Sequence, residues 1–236
     1  MWAAGTLPGV AQLLDNAIWP TLTGPHRRFA IATERAARFH PDVSVFSALP
    51  QEVDAEAWAE LAALHEPGET TAVFRRSVAP PPEWTVLTTF VGIQMLSTRV
   101  TGAPEPDALV LTAADVPEML ALAEVTEPGP FRPRTIELGT YLGIRDRGQL
   151  VAMAGQRMRF DGHTEISAVC TLASHRRRGL GTRLVLDLVE RIHAAGDVAF
   201  LHASADNPAA IAMYEQLGFE PRAEVAGIVL RVPTDR

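Results

Sequence analysis

Residues 165–182 constrain the fold more than any other part of the chain. They begin as an apolar, β-prone segment and turn directly into a basic helix start that contains Gly179 and Gly181. The first N–H groups of a helix have no intrahelical partner and carry the positive end of the helix dipole, and glycine lets an anion approach the backbone closely. The pattern therefore predicts a strand that leads into an anion-binding helix N-terminus.

Further elements follow in the order that an α/β domain requires. Apolar residues recur at helical spacing over residues 182–195, and residues 198–203 are typical of a short buried strand. Asn207 is a preferred N-cap, Pro208 suits the first helical position, and Gly218 suits the C-terminal cap. The sequence therefore predicts a second helix after this strand.

Two motifs in this region resemble the signatures of one superfamily. Arg176, Gly179 and Gly181 match R-x-x-G-x-G/A, and the block that begins at Asn207 matches N-x-x-A-x-x-x-Y-x-x-L-G-F. Together they resemble the GNAT acetyltransferases, in particular the FR47-like branch, over residues 105–232. The resemblance implies an α/β fold with a central mixed, mostly antiparallel sheet flanked by helices. It also implies an N-acetyltransferase that moves the acetyl group of acetyl-CoA to a primary amine by direct attack.

The resemblance assigns roles to particular residues. The family's tyrosine, which protonates the leaving thiolate, corresponds to Tyr214, and the general base of some relatives corresponds to Glu165. To act as a base, Glu165 would need burial to raise its pKa from the usual value of about 4.3. The alternatives are a core aromatic for Tyr214 and a surface carboxylate for Glu165. The residues expected to bind acetyl-CoA are Val169, Cys170, Thr171, Arg176, Arg177, Arg178, Gly179, Leu180, Gly181, Thr182 and Asn207.

The composition of residues 101–107, with two prolines, a glycine and two acids, predicts a linker. We therefore expect an N-terminal α/β lobe at residues 1–103 and a catalytic domain at residues 104–236. The first lobe has no phosphate loop. By analogy with two-lobed relatives such as the glycine N-acyltransferases, we expect it to be a degenerate copy of the same fold that shapes the acceptor pocket. At the C-terminus we expect two strands, at residues 219–224 and 227–232.

Charge and residue usage exclude several other functions. The formal net charge of -7 argues against general nucleic-acid binding, which needs a positive surface. All 21 basic residues are arginine, which excludes a Gly-Lys-Ser/Thr phosphate loop and lysine Schiff-base chemistry. The single cysteine, Cys170, excludes an internal disulfide and a cysteine-rich metal site. We expect no metal cofactor.

The apolar runs are too short to span a membrane, and the N-terminus lacks the pattern of a signal peptide. We therefore expect a cytoplasmic monomer or homodimer without nucleic-acid or membrane partners. The sequence leaves the acceptor open between a small-molecule amine and a peptide amine. The alternative function is a catalytically silent acyl-CoA-binding module that acts as a sensor or an interaction surface.

Overall fold

The computed structural model describes residues 8–234 of the chain. The helices are α1 (Pro8–Asp15), α2 (Ile18–Thr23), α3 (Ala55–Ala63), α4 (Val116–Thr126), α5 (Leu180–Ala194) and α6 (Pro208–Gln216). The strands are β1 (Ala30–Ala32), β2 (Ala37–Phe39), β3 (Phe46–Ala48), β4 (Thr70–Arg75), β5 (Thr85–Leu96), β6 (Leu109–Val110), β7 (Tyr141–Asp146), β8 (Gln149–Phe160), β9 (His163–Thr171), β10 (Val198–Ser204) and β11 (Glu220–Arg231). The elements predicted around the glycine-bearing turn are all present.

The eleven strands found within residues 8–234 form one sheet, in the order β1-β2-β3-β4-β11-β5-β10-β9-β8-β7-β6. In this described part, the β3–β4 and β9–β10 pairs are parallel and the other pairs are antiparallel. Side chains of a strand alternate between the two faces. Thus Ala199 and Leu201 of β10 pack with α5, whereas Phe200 packs with α2. The predicted mixed, mostly antiparallel sheet flanked by helices is confirmed.

Strand β5 lies in the middle of the sheet, between β10 and β11. It pairs with β11 from end to end and with β10 over its C-terminal part. A strand from residues 1–103 thus separates two strands from residues 104–236, so the predicted boundary does not divide the sheet. The predicted linker is also packed against the fold, because the N–H of Ala103 donates to the carbonyl oxygen of Leu186 in α5 at 3.1 Å.

The two halves of the chain repeat one strand order. Strands β1, β2 and β3 are antiparallel neighbours, and β4 lies parallel to β3 after the crossover helix α3. Strands β7, β8 and β9, helix α5 and strand β10 repeat this pattern. The closing strands are exchanged, since β5 lies beside β10 and β11 lies beside β4. The degenerate copy of the fold expected in the first half stays a prediction.

The C-terminal segment forms one strand, so the expectation of two strands is wrong. Strand β11 continues through the predicted break because β5 and β4 flank it on both sides. Gly227, next to that break, makes room for an aromatic ring of the neighbouring strand. A Cβ at this position would lie 2.0 Å from the ring of Phe90.

Residues 104–236 expressed alone are expected not to fold as a cooperative unit. Without β5, the backbone groups of β10 and β11 that it pairs would be exposed, and unpaired sheet edges promote aggregation. Circular dichroism should show no sigmoidal thermal transition for this fragment, and co-expression with residues 1–103 should restore a soluble complex. A cooperative transition of the fragment alone would show that the second half folds independently.

Candidate active site

The candidate site lies at a gap between β9 and β10. The two strands pair from His163 to Ile166 on β9 and separate beyond it. At the point of separation, Ala168 has a left-handed backbone with φ of 53°, and the pairing of β9 with β8 shifts register. A β-bulge bends a strand and interrupts its ladder. The backbone groups of β9 beyond Ile166 on this side therefore face the gap instead of β10.

Helix α5 begins at the open end of the gap. Gly179 precedes it with φ of 74°, and its N-terminus has no side-chain cap. The first N–H groups of the helix are therefore available to an anion. A Cβ on Gly181 would lie 3.6 Å from Cγ1 of Val169 and 3.7 Å from Oγ1 of Thr171. Helix and strand are thus close enough to contact the same ligand.

A cavity of about 680 Å³ occupies the gap, and we call it the strand-gap cavity. Arg178 does not line it, and its guanidinium donates instead to the carbonyl oxygen of Ser174 at 3.3 Å. Burial raises the pKa of the Cys170 thiol, which disfavours the thiolate. The lining contains the other residues predicted to bind acetyl-CoA: Val169, Cys170, Thr171, Arg176, Arg177, Gly179, Leu180, Gly181, Thr182 and Asn207.

Two residues of the downstream motif line the same cavity. Asn207 accepts a hydrogen bond from the N–H of Ala210 at 3.0 Å, which confirms its predicted N-cap position. Tyr214 packs edge to face on Phe219 with 5.7 Å between ring centroids. Burial raises the pKa of Tyr214 to about 12. The phenol is therefore protonated at neutral pH and available as a proton donor.

Glu165 lies beside the gap but does not line the cavity. Its side chain is fully buried, and its two oxygens accept hydrogen bonds of 2.7 Å from Nε and Nη2 of Arg157. Burial acts to raise the pKa of this carboxyl, but Arg157 and a hydrogen bond from His202 outweigh burial and lower it to about 2. A general base needs a free lone pair and a pKa near the working pH. The predicted base role of Glu165 does not fit this geometry.

His202, which the sequence did not indicate, completes the buried network. The amide of Gln94 is oriented by its partners, since its Oε1 accepts from Arg222 and its Nε2 donates to the carbonyl oxygen of Leu14. The amide nitrogen of Gln94 can only donate, so the ring nitrogen Nε2 of His202, which lies 3.0 Å from it, accepts. The other ring nitrogen of His202, Nδ1, therefore carries the proton and donates to Glu165 at 2.8 Å. Burial lowers the pKa of His202 despite the opposing effect of Glu165. The imidazole is therefore neutral, and both of its nitrogens are engaged.

A second cavity, of about 520 Å³, meets the first. We call it the aromatic cavity because Phe46, Phe74 and Phe90, from three strands of the first half, line it. A ligand in one cavity can reach a ligand in the other where the two linings coincide. The shared residues are Glu127, Pro128, Arg157, His202, Ala203 and Ser204.

The sequence analysis missed several residues of this site. Arg157 gave only a weak signal, because Gln156 and Arg159 are also polar in the same strand. His202 gave a weaker one, as a polar residue in a short apolar strand. Ala168 gave none, because alanine has no preference for the left-handed conformation that it adopts here.

Within the described residues, no group of three or more His, Cys, Asp and Glu side chains could hold a metal ion. Among residues 8–234, no helix combines the length and the apolar character needed to cross a membrane.

Comparison with known sequences identifies relatives of parts of the chain. A family profile described as FR47-like protein matches residues 141–226. The N-alpha-acetyltransferase RimI of Mycobacterium tuberculosis is 35% identical over 86 residues, which cover 34% of this chain and 51% of that protein. An uncharacterised Mycobacterium leprae protein is 30% identical over 164 residues, which cover 61% of this chain and 44% of that protein. The chain thus spans about half the length of the curated relatives it matches.

Two solved structures resemble almost the whole chain. A GCN5-related N-acetyltransferase from Kribbella flavida, 21% identical, covers 96% of this chain and 97% of its own with a TM-score of 0.60, which shows a shared fold. A protein from Novosphingobium aromaticivorans, assigned to the acetyltransferases of the GNAT family, has a TM-score of 0.85. It is 36% identical, and the match covers 92% of this chain and 97% of that one. The chain therefore belongs to the GNAT family of acetyltransferases.

Proposed function

We propose that this chain transfers the acetyl group of acetyl-CoA to a primary amine by direct attack of the amine. The observation that supports this proposal is the meeting of two cavities at one set of residues. One cavity has a free helix N-terminus and unpaired strand groups, and the other has an apolar lining. A donor and an acceptor bound in these two cavities would meet at the shared residues.

The residues of the strand-gap cavity fit acetyl-CoA. The uncapped N-terminus of α5 offers N–H donors to a pyrophosphate, and Arg176 and Arg177 add positive charge. The backbone of β9 beyond Ile166 offers partners to the amide groups of pantetheine, and one N–H there would polarise the thioester carbonyl. The Mycobacterium tuberculosis relative, whose match covers 34% of this chain, is named an N-alpha-acetyltransferase.

When bound, acetyl-CoA supplies a thioester whose acetyl group passes to the amine nitrogen as the C–S bond breaks. Tyr214 donates its phenolic proton to the departing sulfur and recovers a proton from solvent, while the amine nitrogen releases one proton to solvent. Arg157, Glu165 and His202 hold the strands where they part. In this proposal Glu165 positions the site and does not take a proton.

Gly181→Leu should weaken CoA binding by at least about tenfold, equivalent to about 1.4 kcal/mol. The added side chain would fill the space in front of the first N–H groups of α5, whereas its Cβ meets only ordinary contacts, so the fold should persist. Isothermal titration calorimetry with CoA measures the effect. Ala194→Leu places the same side chain on the exposed side of this helix and should bind CoA normally. Equal affinity in the two variants would remove the helix start from the binding site.

Tyr214→Phe should lower kcat by about 10²-fold or more, since general acid catalysis contributes about 10²- to 10⁴-fold. CoA affinity should not change. The matched control is Tyr141→Phe, which removes a buried hydroxyl that has no hydrogen-bond partner among the described residues and should leave turnover intact. Release of free CoA with a panel of amines measures both variants. Near-normal turnover of Tyr214→Phe would make Tyr214 a packing residue. CoA binding by the wild type without thiol release for any amine would favour the silent module.

Glu165→Gln should destabilise the fold by about 3–5 kcal/mol, because it leaves the buried Arg157 charge without its counter-ion. The pKa of Glu165 is lower in the folded state than its usual 4.5, so the pair stabilises the fold above about pH 4.5 and this contribution is lost as the pH falls towards 2. Urea unfolding from pH 7 to pH 3 should therefore show a smaller pH dependence in the variant. Unchanged stability together with a 100-fold loss of turnover would instead assign Glu165 the role of base.

A further inference from the structure

A row of aromatic rings lines the aromatic cavity on the side of the first half. Phe74 is at its centre, with ring centroids 6.3 Å from Phe46 and 5.6 Å from the stacked ring of Phe90. On its other side, Phe74 meets His202 edge to face at 4.6 Å. The row therefore extends from the outer part of the cavity to the residues shared with the strand-gap cavity.

Two glycines make room for this row. A Cβ on Gly227 would lie 2.0 Å from the ring of Phe90, and a Cβ on Gly92 would lie 3.0 Å from the ring of Phe74. The rings are thus seated directly on the backbones of β11 and β5. The result is an apolar wall, in which the rings of Phe74 and Phe90 are nearly parallel, of the size that binds an aromatic or branched aliphatic group.

One charged side chain where the two cavities meet, that of Glu127, is available to bind a ligand. Arg157 and His202 are both engaged with Glu165. Glu127 lines both cavities, is exposed, and has no side-chain partner among residues 8–234. It ends α4 in a left-handed conformation with φ of 49°, which places a carboxylate at the junction where glycine would be the usual residue.

We propose that the aromatic cavity binds a small primary amine that carries one apolar, aromatic-sized group. Phe74 and Phe90 hold the apolar group, and the carboxylate of Glu127 binds the ammonium and places the nitrogen at the junction. The ammonium releases one proton to solvent before attack, and the neutral amine that results loses its second proton to solvent as the amide forms. This inference rests on the proposed acetyl transfer and names its acceptor class.

The lining argues against two other acceptor classes. A polyamine would place further cations in a cavity whose charged residues apart from Glu127 are Arg132 and Arg157, so charge repulsion would oppose its binding. A peptide with polar side chains would leave its backbone groups without partners along the same apolar wall. Arg132, the remaining charged residue of this lining, is exposed and offers an ammonium no attraction.

The test compares phenethylamine, spermidine and a hexapeptide with polar side chains as acceptors in the CoA-release assay. We expect kcat/KM for phenethylamine to exceed that of the other two by at least tenfold. A preference for spermidine or the peptide would overturn the inference. If no amine releases CoA, the proposed acetyl transfer is wrong. Calorimetry of phenethylamine with the CoA-bound protein then tests the amine site separately, and no binding in that experiment would overturn the inference.

Two pairs of variants test the residues. Glu127→Gln should weaken binding of phenethylamine about tenfold and leave binding of the uncharged 2-phenylethanol and of CoA unchanged, because only the ammonium loses its partner. Glu124→Gln, on the same helix but outside both linings, should behave as wild type.

Phe90→Ala should raise KM for phenethylamine but not for ethylamine, and Val86→Ala, exposed on the same strand, is its control. Glu127→Gln that binds phenethylamine as tightly as wild type would contradict the ammonium site, and an unchanged KM for phenethylamine in Phe90→Ala would contradict the apolar site.

Discussion

The structure depends on the pairing of β5 with β10 on one side and β11 on the other. This arrangement satisfies backbone groups of both halves that would otherwise form open sheet edges. It also sets the site, because β5 carries Phe90 and Gly92 into the aromatic cavity, next to the strand that carries His202. The aromatic cavity therefore cannot form from the second half alone.

The second constraint is electrostatic and acts where β9 and β10 separate. Separation leaves backbone groups unpaired for a ligand, but it also weakens the sheet at that point. Arg157, Glu165 and His202 join three strands beside the gap, and each group has a hydrogen-bond partner. Buried ionic groups are tolerated only when they are paired in this way. The network engages both oxygens of Glu165 and both ring nitrogens of His202. Among the described residues, Glu127 is the carboxylate without a side-chain partner where the two cavities meet.

Local patterns predicted the second half well. The glycine-bearing start of α5, the Asn207 cap of α6 and most of the strand boundaries follow from capping preferences and apolar spacing, which act within a few residues. Predictions that depended on distant partners were less accurate. The expected break in β11 is absent because two flanking strands extend it. Strand β5, which precedes the expected boundary near residue 103, lies in the sheet between β10 and β11, which follow it. Arg178 belongs to the predicted anion loop but lies outside the cavity, because the turn directs its guanidinium to Ser174.

The sequence by itself determined the elements of the strand-gap cavity: a strand, a helix start that carries Gly179 and Gly181, and a capped helix that carries Tyr214. These elements depend on interactions between residues close together in the sequence, so residue types at fixed spacing decide the conformation. Only the tertiary structure decided the exchange of closing strands, the pairing of Glu165 with Arg157 and His202, and the assembly of the aromatic cavity from both halves. Those features come from contacts between residues far apart in the chain, whose partners are set by sheet register and burial rather than by any pattern in one segment.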